Sequence, residues 1–364
     1  MDGTKSESIE VTSSVPQGTV LAPVLFLIMI SDINKNVRDS KVSSFADDTK
    51  IGRRINNADD IKVLQRDIDA IFKWANENNI QFNGEKFVAL KYRLSNDNTI
   101  ADYVTDSGEQ ICSASQVRDL GILMTTDLTF SNHYNLKLAI ARKLMGIIWR
   151  SFSTRKAIVM TKLWKSLILP VIEYCSILVS PHLIQDIQKI EAIQRTFTSN
   201  LEEVKHLNYW ERLKNLNMYS LERRRERYLL IYVWKILEGK VPNCSVNPID
   251  VYWSDRQGRL CRNAKLKGKG KTKTLREQTL AVTGPNLFNC LPAHIRNMQG
   301  VELETFKKAL DHFLREVPDC PSLPGYRDPF GQGSNSIEKR RLKRVFPAGQ
   351  SSRPGFMTRL PEGV

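Results

Sequence analysis

The sequence predicts an α+β protein in which a short-stranded first part gives way to a helical second part. Three observations carry that expectation. Apolar residues up to about position 132 come in short runs broken by turn dipeptides. From about 133 they recur at the helical period of 3.6. Charge divides at nearly the same place: residues 1–100 hold 13 Lys/Arg and 14 Asp/Glu, net −1, whereas the rest hold 41 and 25, net +16. At roughly 150 residues per domain, 364 residues suggest two domains and a tail. A hydrophobic content of 41% excludes a wholly disordered chain.

Residues 1–18 read as an exposed hairpin or loop, with Asp2-Gly3 as turn chemistry. Thr19–Ile30 is apolar on every side, which predicts a buried helix. At 12 residues and with Pro23 inside, this longest apolar run is far short of a membrane span, which needs about 20. Residues 41–52 read as strand, tight turn and strand, with Asp47-Asp48 at the turn. Ile61, Leu64, Ile68, Ile71 and Phe72 fall at helical spacing behind Asp59 and Asp60, which suit a first helical turn. Phe87–Tyr92 is β-prone, and residues 100–128 read as two or three strands around Ser107-Gly108.

Helices are expected at 136–152, 155–169, 183–200, 209–216 and 219–238, with Pro170 and Pro181 as punctuation. The stripe Ile184, Ile187, Ile190, Ile193, Phe197 exemplifies them. Residues 253–276 hold nine Lys/Arg with glycines among the lysines and read as a flexible basic segment. A short helix follows at 302–315. From Pro318 onward, 7 Pro and 6 Gly in 47 residues predict a disordered tail. The expected divisions are therefore 1–132, 133–240, 241–317 and 318–364.

Six scattered cysteines, none in a CxxC pair, suit reduced thiols and an intracellular protein, cytoplasmic or nuclear. Cys290-x₃-His294 and His312-x₇-Cys320 fit no standard zinc spacing. Gly270-Lys271-Thr272 lacks the first glycine of a phosphate-binding loop, because position 265 is Lys. The +15 net charge points to a polyanionic partner. Two clusters could meet phosphates without reading sequence. One is Arg223, Arg224, Arg225 and Arg227 on a helix. The other is Arg256, Arg259, Arg262, Lys265, Lys267, Lys269, Lys271 and Lys273. The plain alternative for both is a solvated surface.

Adjacent acids at a hairpin tip repel each other, and a bound cation offsets that repulsion. Hard oxygen donors of this kind suit Mg²⁺, which takes one or two carboxylates plus substrate phosphates. A lone Asp-Asp turn is more often simply solvated, and here the surrounding sequence changes the reading. Val15-Pro16-Gln17-Gly18, then Val20-Leu21-Ala22-Pro23 and an apolar helix, then Phe45-Ala46-Asp47-Asp48, resemble the reverse transcriptase palm of jockey-like non-LTR retrotransposons. Asn83-Gly84-Glu85-Lys86 resembles that family's next motif. Later segments, including IEAIQRTFT and YWERLKNLNMYSLERRRERYLLIYVWKIL, extend the likeness over about 14–345 as a thumb-like helical region.

The resemblance implies an RNA template, a DNA primer, a dNTP and Mg²⁺. It implies metal-binding roles for Asp47 and Asp48, and places Gln17, Gly18, Phe45 and Ala46 at the nucleotide and template base. Lys86 stands where the family's lysine protonates the leaving pyrophosphate. Gly18 also fits physically, since a residue without Cβ lets a base approach closely. The family's third metal-binding Asp, its fingers and its triphosphate-binding basic residues have no counterpart in the 17 residues before Gly18, and Asp2, Glu7 and Glu10 are poorly placed to substitute. Ser14 stands where the family usually has Gly. The expectation is a C-terminal part of a longer polymerase, inactive alone, with the missing N-terminal part in another chain as a candidate partner. The alternatives are a non-catalytic remnant that binds nucleic acid electrostatically and a partner-binding fragment.

Overall fold

In the computed structural model, residues 18–92, 102–243, 248–263, 270–321, 323 and 335–338 are described. The chain divides into two compact units. Unit 1 runs to Val117 and includes Thr125–Asp127; unit 2 comprises Arg118–Met124 and everything from Leu128.

Unit 1 begins with α1 (Ala22–Ile30), started by Pro23 in the first turn, where its missing N–H costs nothing. The hairpin β1 (Lys41–Phe45) and β2 (Asp48–Gly52) follows, with Phe45 opposite Asp48. Next is α2 (Ala58–Glu77). Its N-cap Asn57 accepts the Asp60 N–H at 2.9 Å, and Asp59 and Asp60 meet the positive end of the helix dipole. The predicted stripe is inward: Leu64, Ile71 and Phe72 are buried.

β3 (Val88–Leu90), β4 (Tyr103–Val104) and β5 (Gln110–Ala114) form one sheet with β5 central. β3 pairs parallel with β5, Val88 opposite Cys112, so the strands of this part are not antiparallel throughout. The connection between them is long enough to carry in β4, which pairs antiparallel to β5. β6 (Gln116–Asp119) and β7 (Ile122–Thr125) close the strand region as a separate pair.

The predicted burial of α1 is corrected by the structure. Phe26 and Ile30 join Ile33, Ile71, Trp74 and Ala75 in a small core. Leu21, Val24, Leu25, Leu27, Ile28 and Met29 are exposed. A helix apolar all round needs neighbours on every side, and the described part of unit 1 supplies them on one side only.

Unit 2 contains α3 (Ser131–Ser151), α4 (Ala157–Leu163), a π turn (Trp164–Ile168), α5 (Leu169–Glu173), α6 (Ile184–Thr198), α7 (Tyr209–Asn215) and α8 (Leu221–Leu237). The hairpin β8 (Val251–Ser254) and β9 (Gly258–Cys261) follows, then α9 (Gly270–Glu277), α10 (Leu280–Asn289), α11 (Ala293–Arg296) and α12 (Leu303–Glu316). Pro170 does not end its helix as expected. It occupies the first turn of α5, and the wider π turn before it absorbs the backbone mismatch.

Two cores fill unit 2. In the first, Leu138, Ala141, Met145 and Ile148 of α3 meet Trp164, Ile190 and Ile193, and the Phe197 ring lies 5.0 Å from Trp149 and 4.9 Å from Trp164. In the second, Trp234 stacks on Phe306 at 4.7 Å, among Phe288, Leu291, Leu310 and Ile337. α8 serves both, with Leu221 in the first core and Leu230 to Ile236 in the second. Gly284 lets α10 approach α8: a Cβ there would stand 2.8 Å from Val233 Cγ2.

Two further expectations change. The segment read as flexible and basic holds the β8–β9 hairpin and α9 in its described residues. The segment read as disordered tail returns Leu323, Asn335 and Ile337 to buried positions. Among the described residues no helix is long and apolar enough to cross a membrane.

Candidate active site and the basic clusters

Asp47 and Asp48 sit at the tip of the β1–β2 hairpin, and both are exposed. The turn residues are Ala46 and Asp47. Ala46 takes φ +50°, a left-handed conformation that favours glycine and costs an alanine about 1 kcal/mol. Phe45, just before it, is 66% exposed. The sequence Phe-Ala-Asp-Asp thus presents a ring and two carboxylates together at a strained tip.

Below the tip the hairpin is held by polar contacts. Arg53, following β2, donates Nη2 to Asp60 Oδ1 at 2.8 Å and Nη1 to the Asp39 carbonyl at 2.8 Å. The Asn56 N–H and Arg53 hold the Asp60 carboxyl below its usual range. Asp67 on α2 is fully buried. Burial pushes its carboxyl up, but bonds from Arg66 and the Asp39 and Arg38 N–H groups help outweigh that and leave it low. Asp67 Oδ2 accepts the Asp39 N–H at 3.1 Å. The Arg53 bond to Asp60 and the Arg38 and Asp39 N–H bonds to Asp67 tie both feet of the hairpin to α2.

Gly18 takes φ +81° with open space where a Cβ would be. Its backbone therefore requires glycine as well as leaving room for an approaching group. Lys86 ends a 3₁₀ turn, Gly84–Lys86, and is exposed. Phe82 and Phe87 flank that turn and pack on Phe72 of α2, with centroids 5.7 and 5.2 Å away. Gln17 lies outside the described residues.

Two exposed carboxylates at one tip are a donor set that suits Mg²⁺ completed by phosphate oxygens. Among the described residues no group of three His, Cys, Asp or Glu side chains gathers anywhere.

The arginines of α8 turn out to be engaged within the fold. Arg223 is fully buried and donates Nη2 to the carbonyls of Pro318 at 3.1 Å and Asn335 at 3.0 Å. Arg224 donates to Glu173 Oε2 and to the Tyr228 hydroxyl, both at 2.9 Å. Arg225 is buried, and Arg227 pairs with Asp311 at 2.7 Å. In the second cluster Arg259 is buried against Glu238 at 2.8 Å, Arg262 pairs with Asp250 at 3.0 Å, and Lys273 lies 3.9 Å from Glu277. Arg256 is exposed at the β8–β9 turn. Lys265, Lys267 and Lys269 lie outside the described residues, and of Lys271 only the helical backbone is described.

Sequence reasoning missed a buried polar cluster at the start of α8. Ser220 caps the helix by accepting the Arg223 N–H at 3.0 Å. Asp319 takes the Ser220 N–H at 2.8 Å and its hydroxyl at 2.7 Å, while Asn335 Nδ2 donates to Asp319 at 2.6 Å. Glu191 accepts the Leu221 N–H at 3.0 Å and the Tyr209 hydroxyl. Burial pushes the Glu191 carboxyl up to about 8, against the Tyr209 bond that lowers it. Burial likewise raises Glu226 to about 7, against the pull of Arg223, and Glu226 accepts the Ile337 N–H at 3.1 Å. A single acid inside an apolar helix stripe, as Glu191 is among Ile187, Ile190 and Ile193, was the available signal.

Residues 1–123 match the reverse transcriptase (RNA-dependent DNA polymerase) family. The chain is similar to the RNA-directed DNA polymerase from mobile element jockey of Drosophila melanogaster, 28% identical over 188 residues. The corresponding protein of Drosophila funebris is 26% identical over the same length. Each match covers 48% of this chain but only 20% of the relative. No solved structure matches the chain.

Proposed function

We propose that this chain is part of a jockey-like retrotransposon reverse transcriptase, a reading supported by its match to the reverse transcriptase family over residues 1–123 and its similarity to the jockey polymerases, and that the β1–β2 tip is its nucleotidyl-transfer site. The observation that carries the proposal is the exposed pair Asp47 and Asp48 at a hairpin tip, the first in the two-residue turn beside Ala46 with its positive φ and the second opening β2. The proposed reaction is template-directed joining of a dNTP to a primer 3′-hydroxyl, with an RNA template and a DNA primer.

In this reading Asp47 and Asp48 would hold Mg²⁺. That ion, when bound, neutralises charge on the reacting phosphate oxygens. Phe45 and Ala46 border the nucleotide. Gly18 leaves room for the template base or sugar, and Gln17 acts beside it. Lys86, exposed on a turn fixed by the Phe72–Phe82–Phe87 cluster, delivers a proton to the departing pyrophosphate.

Two carboxylates with no third acid gathered beside them among the described residues support a site completed by an acid from elsewhere, in the same polyprotein or another chain. We therefore propose that this chain alone does not polymerise. Primer extension with purified chain, Mg²⁺ and dNTPs tests it. The expected result is no template-dependent incorporation alone, and incorporation on adding the rest of a jockey-type polymerase as a separate chain, lost with Asp47→Asn. Incorporation by the chain alone that Asp47→Asn abolishes would overturn the incompleteness but keep the site. Incorporation indifferent to Asp47→Asn would overturn the site.

A further inference from the structure

The two edges of the β8–β9 hairpin are built differently. The Arg262 N–H donates to the Asp250 carbonyl at 2.9 Å, which makes Asp250–Arg262 a hydrogen-bonded pair. Antiparallel pairs alternate between bonded and non-bonded. Tyr252–Leu260 and Ser254–Gly258 are therefore bonded pairs, while Val251–Cys261 and Trp253–Arg259 turn their N–H and C=O groups outward. On the β9 side those outward groups are all taken by side chains. Asn289 accepts the Cys261 N–H at 2.8 Å and donates to its carbonyl at 2.9 Å, as a neighbouring strand would. Asn297 accepts the Arg259 N–H and Arg296 donates to the Arg259 carbonyl, both at 2.9 Å. Gly258 makes room for this, since a Cβ there would stand 2.5 Å from Asn297 Oδ1. The β9 edge is closed.

The β8 edge is open. The Val251 N–H turns back to the side chain of its neighbour, Asp250 Oδ1, at 2.9 Å. Among the described residues no bond reaches the Val251 carbonyl or the N–H and C=O of Trp253. Trp253 is 59% exposed, and Tyr252 beside it is exposed too. A bare strand edge carrying large aromatics is a ready template for one more strand.

We propose that the β8 edge pairs antiparallel with the β8 edge of a second copy of this chain. β8 complements itself about a two-fold axis at Tyr252. Val251 of each copy then faces Trp253 of the other, and each such pair exchanges two backbone bonds. On one face Val251 packs beside the opposing Trp253 ring; on the other the two Tyr252 rings adjoin. Charge permits the approach. The whole chain carries +15, but each end of β8 holds one acid and one arginine: Asp250 with Arg262 at 3.0 Å before it, exposed Asp255 and Arg256 after it. Antiparallel copies thus meet with both signs on offer at each end, where a foreign strand has no such built-in match. The edge is only four residues long, so the dimer is weak and depends on concentration.

Analytical ultracentrifugation of the nuclease-treated full chain over roughly 1–200 µM tests this by mass action. The average mass should climb from one chain toward two, and hydrogen exchange at the Trp253 amide should slow in step. Trp253→Lys should weaken self-association at least ~10-fold. Val251→Pro should do the same while melting within ~2 °C of the parent, because the N–H it removes serves no bond of its own ladder. If Trp253→Lys fails to fold, Val251→Pro decides alone. Leu178→Lys, at an exposed apolar residue outside β8, should leave association unchanged. A chain monomeric at every concentration would overturn the proposal. So would association that ignores the β8 variants, or that Leu178→Lys abolishes equally.

Discussion

Trp164, Phe197, Trp234 and Phe306 of unit 2 are all essentially inaccessible to solvent, whereas Phe45, Asp47, Asp48 and Lys86 of unit 1 all face it. Unit 2 buries Arg223 and Arg259 beside acids and carbonyls. Unit 1 leaves its carboxylates at a turn and most of α1 uncovered. The contrast shows where each part of the sequence is committed. Residues that resemble polymerase motifs are held at their bases, by Arg53, Asp60 and Asp67, and kept free at their tips. Residues resembling nucleic-acid contacts in α8 serve the fold instead. Functional side chains on strained, exposed turns over a rigid support are a common arrangement for binding and catalysis.

The contrast is broken most directly by truncation. Trp234→Ala should cost about 3–5 kcal/mol, since it removes the stack on Phe306 and the 2.9 Å bond to the Met298 carbonyl. Urea unfolding followed by far-ultraviolet circular dichroism measures it. A cost below ~1 kcal/mol would mean that the second core is not packed as described.

Acid strength sharpens the comparison next. The Glu191 carboxyl rises from 4.5 to about 8 on folding, chiefly through burial. A raised folded value favours the protonated form in the folded state. The associated stability is therefore whole below about pH 4.5 and is lost as pH climbs through 8. Glu191→Gln should flatten that decline and leave the variant more stable than the parent above pH 8, on the order of a few kcal/mol. Thermal melts from pH 5 to 9 that run parallel for the two proteins would refute the burial argument.

Smaller effects are expected at the tip. Ala46→Val should cost unit 1 about 1–2 kcal/mol, because a β-branched residue resists positive φ, while Ala46→Gly should cost nothing measurable. Hydrogen exchange of the β1–β2 amides reads both. Smallest of all, Val24→Ser on the exposed side of α1 should change stability by less than about 0.5 kcal/mol while raising solubility. A large destabilisation there would show that the α1 face is covered in solution.

Much of this was legible in the sequence where a single periodic pattern decided the matter. The α2 stripe, the strands around Ser107-Gly108 and the Ile190, Ile193, Phe197 line of α6 all appear as read, because their burial partners have the same local logic. The tip was legible from turn chemistry alone. What could not be read depended on distant partners. Arg223 looks like any helical arginine until Pro318 and Asn335 come back to it, and Arg227 until Asp311 does. The uncovered face of α1 was misread because all-round hydrophobicity states a need for neighbours without saying whether they are at hand.

The cap of α8 also sets an order of events during synthesis. Ser220 reaches Asn335 across 115 residues of chain. At about 5–20 residues per second, a ribosome adds the closing partners on the order of ten seconds after the helix itself has emerged. In that interval the Arg223 guanidinium lacks both carbonyls that later receive it. The second core fills progressively from Ile249 onward and is complete only when Ile337 arrives. The newborn helix thus waits, with its first turn unsealed, for some of the last described residues to be made, and any message cut short before codon 335 yields a chain that can never finish that seal.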